Sequence, residues 1–202
     1  MEDYAIIILA AGSSSRMGRA KQLLKIHDKT LLKHTIDEAK ILLPSAVYVV
    51  YGANADAISS ELASDSSISI CYNASWREGM ASSIKTGLKA VQGSNPSVKG
   101  CLISVCDQPF LTAQVFARLI SAHEKTPRSI VASVYNDTAG VPVLFDSHYF
   151  PLLMALSGQE GAKKILSNPT VQVVHIPFPN GDIDLDTPGD YHRYLSNVTD
   201  KS

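Results

Sequence analysis

Apolar residues in this chain gather in short unbroken runs separated by polar, glycine-containing turns. The runs 5–9, 46–51, 67–72, 100–106, 129–134, 141–145 and 171–176 have the length and β-branched content of buried strands. Between most of them the spacing changes to a helical one. Leu32, Ile36, Ala39 and Leu43 fall on one helix face, as do Val115, Phe116, Leu119 and Ile120 after Thr112, a plausible N-cap. Ile58 and Leu62 mark a shorter helix, and Ile84, Leu88 and Val91 another. Alternation of this kind predicts an α/β fold of three layers (α/β/α), with a mostly parallel, Rossmann-like sheet covered on both faces. Residues 93–96 and 124–128 read as surface loops. No internal repeat or long linker divides the chain, so residues 1–202 are expected to form a single domain.

The first strand run stops at Ala10-Ala11-Gly12, and three serines, Arg16, Gly18 and Lys21 follow. Small residues let a backbone approach a ligand closely, and glycine can take the positive φ of a tight turn. Successive N–H groups in such a turn form an anion site. Arg16 and Lys21 add positive charge beside it, so the loop is suited to a polyphosphate. It is not a Walker A loop, because five residues separate Gly12 from Gly18 and the lysine comes three positions later. Nor is it the G-x-G-x-x-G dinucleotide turn, since Ser13-Ser14 follow Gly12. A plain strand-to-helix loop with charges on its rim is the alternative.

In a parallel sheet, ligands collect at the carboxyl ends of the strands. The loop 12–21 follows the first strand, residues 73–83 follow the third, and Asp107 ends the fourth. A carboxylate at the edge of a buried strand needs a partner or a metal. Asp107 could instead be a turn residue before the next helix, but Thr112 is better placed to cap that helix, which favours metal binding. Asp182, Asp184, Asp186 and Asp190 crowd a second segment closed by Thr187-Pro188, a pattern that also suits a solvated turn.

Composition narrows the class. The chain has 202 residues, 45% hydrophobic and 18% charged, as expected of a soluble globular protein. A net charge of −1 argues against nucleic-acid binding, and no apolar run approaches the ~20 residues of a membrane span. The acidic start (Glu2, Asp3) leads straight into the first strand, unlike a signal peptide. Cys71, Cys101 and Cys106 form no C-x-x-C pair and read as reduced thiols of a cytoplasmic protein. The histidines at 27, 34, 123, 148, 175 and 192 lack zinc-ligand spacing, so surface or core roles are expected. Trp76 reads as an anchor for its loop and Met80 as packing.

The loop 9–21 resembles the L-A-A-G-x-S-x-R-M-G-x-x-K signature of nucleotidyltransferases. The likeness continues through Asn73, Gly79-Met80-Ala81-Ser82-Ser83-Ile84-Lys85-Thr86-Gly87-Leu88, Asp107-Gln108-Pro109, Gly140-Val141-Pro142, Gly158 with Gly161, and Asp184-Leu185-Asp186-Thr187-Pro188. In that order the set is similar to the molybdenum cofactor nucleotidyltransferases, and most to their cytidylyltransferase branch. The resemblance implies a sheet of the nucleotide-diphospho-sugar transferase type, with an NTP-binding half at about 1–112 and an acceptor-binding half at about 113–195. It implies transfer of CMP from CTP to the terminal phosphate of molybdopterin, with release of pyrophosphate. Leu9, Ala10, Ala11, Gly12, Ser13, Arg16, Lys21, Asn73, Gly79 and Ser83 would hold the nucleotide. Arg16, Lys21 and Asp107 would be catalytic, and Asp107 and Asp186 would hold Mg2+. Gly140, Pro142, Gly161 and Asp184 would contact the acceptor. A molybdoenzyme or its chaperone is the implied partner, and neither nucleic acid nor membrane is.

Base choice rests on Ala11, where the related guanylyltransferases usually carry glycine. Its methyl group leaves less room beside a purine. Ser83 would read the cytosine edge, as in the similar segment of isoprenoid cytidylyltransferases, with Ser82 left to cap the helix. Three positions depart from the family pattern: Val141 stands where histidine is frequent, Gln159 replaces the usual aspartate, and Gly189 replaces glutamate. The first two bear on the acceptor, leaving a sugar phosphate or methylerythritol phosphate as alternatives. GTP use and a nucleotide-binding regulator without turnover are the other readings.

Overall fold

The computed structural model describes residues 3–26 and 28–199, so Glu2 and His27 lie outside the described residues. In chain order the elements are β1 (Tyr4–Ala10), β2 (Lys25–Ile26), β3 (Lys29–Thr30), α1 (Leu31–Leu42), β4 (Val47–Tyr51), α2 (Ala55–Leu62), β5 (Ser69–Tyr72) and α3 (Met80–Ser94). They continue with β6 (Gly100–Val105), α4 (Ala113–Lys125), β7 (Ile130–Tyr135), β8 (Thr138–Asp146), α5 (Phe150–Ala155), α6 (Ala162–Leu166), β9 (Val173–Pro177) and α7 (Pro188–Thr199). Seven strands form one sheet in the order β5-β4-β1-β6-β8-β7-β9. Within this sheet, among the described residues, β8 alone runs antiparallel to its neighbours.

The central strand β1 explains the layering. Its side chains alternate between faces, as any strand requires. Ile6 and Ile8 pack with Leu32, Ile36, Ile58, Val115 and Phe116 under α1, α2 and α4. Ile7 packs with Ile84, Leu88, Leu153 and Ile165 under α3, α5 and α6. Both faces are therefore buried, which is why the run shows no polar alternation. Gly87 lets α3 settle onto this strand, since a Cβ there would lie 2.5 Å from Ile7 Cγ2.

The chain leaves β1 toward β4 and β5, then returns to place β6 on the other side of β1. Connections thus diverge between β1 and β6, opening a crevice at their carboxyl ends. The loop after β1 and Asp107 after β6 both fall there.

Several expectations need correction. The helix after Thr112 begins at Ala113, but the Thr112 side chain makes no capping bond; the Ala113 N–H donates to Glu38 Oε2 of α1 at 2.7 Å. The run 141–145 is the middle of the longer β8, which pairs with β7 across a turn at Asn136 (φ 46°) and Asp137 (φ 56°). Two successive left-handed residues are the mark of a tight hairpin. The acidic stretch at 182–190 runs into α7, where the Thr187 N–H and hydroxyl donate to Asp190 Oδ2 at 2.8 and 2.7 Å. The Asp190 N–H donates back to Thr187 Oγ1 at 3.2 Å, completing a reciprocal cap.

The three cysteines are free, Cys101 and Cys106 fully inside and Cys71 half-buried. Burial pushes the Cys106 thiol up to about 12. His123 is buried between the Tyr4 hydroxyl and Asp146, each at 2.9 Å, while His148, His175 and His192 are exposed. Among the described residues, no helix is long and apolar enough to cross a membrane.

Candidate active site

Three segments meet at the crevice. The first is the loop after β1. Its positive-φ residues are Ser14 (φ 55°) and Gly18 (φ 72°), rather than Gly12. Gly12 instead faces open space, with no atom within 4 Å of where a Cβ would stand. Met17 turns inward to pack with Leu24, Ile26, Leu31, Leu185 and Tyr194, which anchors the far side of the loop. Gln22, buried on the short turn Lys21–Leu23, donates to the carbonyls of Ala10 and Gly12, each at 2.9 Å.

The second segment runs from β5 into α3. The buried Asn73 donates through Nδ2 to the hydroxyls of Ser82 and Ser83, at 2.8 and 3.0 Å, while its Oδ1 accepts from the Ser75 N–H at 3.0 Å. Ser82 donates to the carbonyls of Ser75 and Gly79, so it ties loop to helix instead of capping a helix N–H. Gly79 has φ 114°, and a Cβ there would lie 2.3 Å from Gly158 O; only glycine fits this turn. Trp76 packs against Gly52 and carries Arg77 over its ring at 4.4 Å.

The third segment brings the acids. Asp107 lies two residues past β6, and its carbonyl accepts from the Leu185 N–H at 3.1 Å, which ties this strand end to the segment before α7. Lys21 Nζ lies 2.5 Å from Asp107 Oδ2 and 2.7 Å from Asp186 Oδ1, and Arg16 Nη2 lies 2.7 Å from Asp186 Oδ2. Burial works against the Lys21 charge, but the Asp107 and Asp186 carboxylates outweigh it and hold its pKa above the ordinary lysine value. Asp184 is exposed. Partial desolvation, then the charges of Asp107 and Asp186, nonetheless push its carboxyl up to about 7. Asp182 is engaged elsewhere, accepting from Asn136 Nδ2 at 2.6 Å, and Asp190 caps α7.

These segments enclose a cleft of about 540 Å³ whose lining includes Gly12, Lys21, Trp76, Ser83, Asp107 and Gln159. Leu9, Ala11, Ser13 and Gly79 also reach it, whereas Ala10 and Asn73 stand behind the wall and support it. Arg16 sits on the rim with its side chain 71% exposed. Gly140, Pro142 and Gly161 do not reach the cleft lining. A Cβ at Gly140 would strike the Tyr135 hydroxyl, Pro142 O accepts from Ser133 Oγ at 2.8 Å, and a Cβ at Gly161 would lie 2.6 Å from Met80 Sδ. Their small size or fixed backbone suits packing beneath the wall.

Three features escaped the sequence reading. Gln22 has no charge or spacing to mark it. Trp76 and Met80, read as an anchor and as packing, also line the cleft. The cap of α7, by contrast, was open to detection: Thr187, Pro188 and Asp190 occupy the N-cap, N1 and N3 positions of a helix start.

Asp107 and Asp186 present the oxygens that could hold a divalent cation. Asp107 Oδ1 is buried and has no hydrogen-bond partner among the described residues, a costly arrangement for a carboxylate oxygen, while Oδ2 pairs with Lys21. Hard divalent ions take oxygen ligands of this kind and retain water or phosphate in the other positions. Among the described residues no three His, Cys, Asp or Glu side chains converge as a complete protein cage. The two acids offer oxygens of the kind a divalent ion takes.

Residues 6–173 match the MobA-like NTP transferase domain. The chain is 26% identical over 185 residues to the molybdenum cofactor cytidylyltransferase of Escherichia coli strain K12, covering 92% of each. Its fold overlays on the Mycobacterium sp. strain JC1 homolog of Mycobacterium tuberculosis rv0371c with a TM-score of 0.82, at 28% identity and 99% and 98% coverage. The manganese complex of Rv0371c from Mycobacterium tuberculosis H37Rv overlays at 0.77, with 26% identity and 96% and 98% coverage. The mostly parallel sheet flanked by helices is the fold of the nucleotide-diphospho-sugar transferases. This chain is a nucleotidyltransferase and belongs to the family of MobA-like NTP transferase domains.

Proposed function

We propose that the protein transfers CMP from CTP to the terminal phosphate of molybdopterin and releases pyrophosphate. The observation that carries this reading is the Lys21 ammonium shared between Asp107 and Asp186, in a cleft also bordered by Ala11 and Ser83. The 26% identity to a cytidylyltransferase along 92% of both chains supports the base and the acceptor.

In this reading the loop 10–15 receives the CTP phosphates on its backbone N–H groups. Lys21 and Arg16 offset charge on the departing pyrophosphate. Ser83 keeps its hydroxyl hydrogen for the base, because Asn73 donates to its oxygen and no acceptor engages the hydrogen among the described residues. Ala11, 6% exposed, narrows the pocket beside the ring. Asp107 and Asp186 would hold magnesium, with manganese the ion found in a similar protein. When bound, the ion withdraws charge from the triphosphate and aligns it for in-line attack. A phosphate monoester has a second pKa of about 6, so the acceptor is already anionic near neutrality and needs no general base. The remaining work is positioning and electrostatics.

The reaction belongs to the cytoplasm in this reading, with a molybdoenzyme or its chaperone receiving the product. Pyrophosphate release with CTP, GTP and ATP against molybdopterin, a sugar phosphate and methylerythritol phosphate tests it. Turnover is expected with CTP and molybdopterin. Preference for another acceptor or for GTP rejects the assignment, and nucleotide binding without turnover makes the protein a regulator.

A further inference from the structure

Gln22 is 1% exposed, yet it carries a primary amide. Buried amides persist when their hydrogen bonds are made, and here they are made to one target. Nε2 donates to Ala10 O and Gly12 O, both at 2.9 Å, and Oε1 accepts from Ser14 Oγ at 3.2 Å. Ser14 Oγ in turn accepts from the Lys21 N–H at 3.1 Å, and Ser14 O accepts from the Met17 N–H at 3.0 Å. Ser14 is the loop's non-glycine residue at positive φ, a conformation that surrounding contacts must hold in place. One side chain thus grips the loop at positions 10, 12 and 14.

The grip has a directional consequence. In a trans peptide the C=O and the following N–H point opposite ways. Drawing Ala10 O and Gly12 O toward Gln22 turns the N–H groups of Ala11 and Ser13 away from it, and both residues line the cleft. The neighbouring Lys21 delivers its ammonium to the same cleft while its N–H is held by Ser14. We infer that Gln22 is a positioning residue that sets the anion-binding shape of the 10–15 loop and fixes it relative to Lys21. The inference rests on the reading of this loop as the triphosphate site.

Binding of inorganic tripolyphosphate, measured by calorimetry, tests this apart from turnover. Gln22→Met keeps the length without the donors, and Gln22→Glu sets an acceptor against both carbonyls. Each is expected to weaken tripolyphosphate binding tenfold or more while the melting midpoint and circular dichroism of Gln22→Met stay near wild type. The CTP turnover number should fall by about 10²-fold, the scale for a displaced reacting group. Equal tripolyphosphate affinity in a folded variant overturns the inference, as does a wild-type protein that does not bind it. Loss of the fold in both variants also overturns it and assigns Gln22 to stability alone. If wild type binds tripolyphosphate but turns over no nucleotide, the transfer reaction fails while the variants still decide the role of Gln22.

Discussion

Lys21 and Asp107 lie 86 residues apart in the chain and meet at 2.5 Å, with Asp186 at 2.7 Å on the other side of the same ammonium. The contact joins the loop of the central strand to the end of its neighbour across the divergence of the sheet. It places one ammonium between two acids, the second of which also takes the Arg16 guanidinium at 2.7 Å. Asp107 Oδ1 remains buried and unpartnered among the described residues, so the cluster favours a further cation.

Asp107→Asn should therefore abolish most turnover while leaving the protein folded. Asparagine keeps the shape and loses the charge, and loss of a preorganised electrostatic partner costs roughly 10²–10³ in rate. Pyrophosphate release across magnesium and manganese titrations, with melting curves alongside, measures this. Wild-type rates at saturating metal would remove Asp107 from the metal site.

Lys21→Ala should lower the turnover number by roughly 10²–10³. It should also lower the melting midpoint, because Asp107 and Asp186 lose the ammonium they share while only 14% and 27% exposed. A rise in KM at unchanged kcat would instead mean that Lys21 binds ground state and transition state equally.

The parts of this site nearest a sequence signal were readable. The β1 run is apolar because both its faces are buried, and the Gly/Ser stretch that follows it lines the cleft at Gly12 and Ser13. Asp107 stood out as a charge ending a run of buried residues. What stayed hidden was non-local. Nothing in the spacing of Gln22 shows that it reaches back to Ala10 and Gly12, since a buried glutamine and a surface one look alike in sequence. The crowding of four aspartates did not by itself separate Asp184 and Asp186, which only the family resemblance singled out, from Asp182 and Asp190, which Asn136 and Thr187 engage in the structure.

The acceptor side was the least legible for a related reason. Gly140 and Gly161 mark places where Tyr135 and Met80 come close, which is a packing demand. A glycine required by packing and one required by a ligand carry the same letter. Met80 and Gln159, which line the cleft, have no such mark.

His34 predicts an acid-sensitive step in stability. Its Nε2 lies 2.9 Å from Leu111 O, which can only accept, so the ring donates there. Burial, the largest influence, lowers its pKa below 6.5. The folded state then binds fewer protons than the unfolded state. The stabilisation is complete above about pH 6.5 and is lost as pH falls through the lowered folded value. His34→Gln, which can still donate to Leu111, should flatten the fall in melting midpoint between about pH 6.5 and 5. An unchanged pH profile would exclude His34 as its source.

Base selection gives the last test, because Ala11 and Ser83 border one cleft from different segments. Ala11→Gly removes a methyl from a wall that is 6% exposed, so it should admit a purine and raise GTP use relative to CTP. Ser83→Ala should act differently. It removes the hydroxyl that Asn73 orients at 3.0 Å, and Asn73 Nδ2 would still donate to Ser82. The loop should therefore keep its shape while the base loses one neutral hydrogen bond, worth about 0.5–1.5 kcal/mol, and more where the partner stays buried. CTP selectivity should fall about tenfold, read as the ratio of kcat/KM for CTP and GTP. If both substitutions leave that ratio where wild type has it, neither residue reads the base, and the contacts that do must be sought in the Trp76–Gly79 turn.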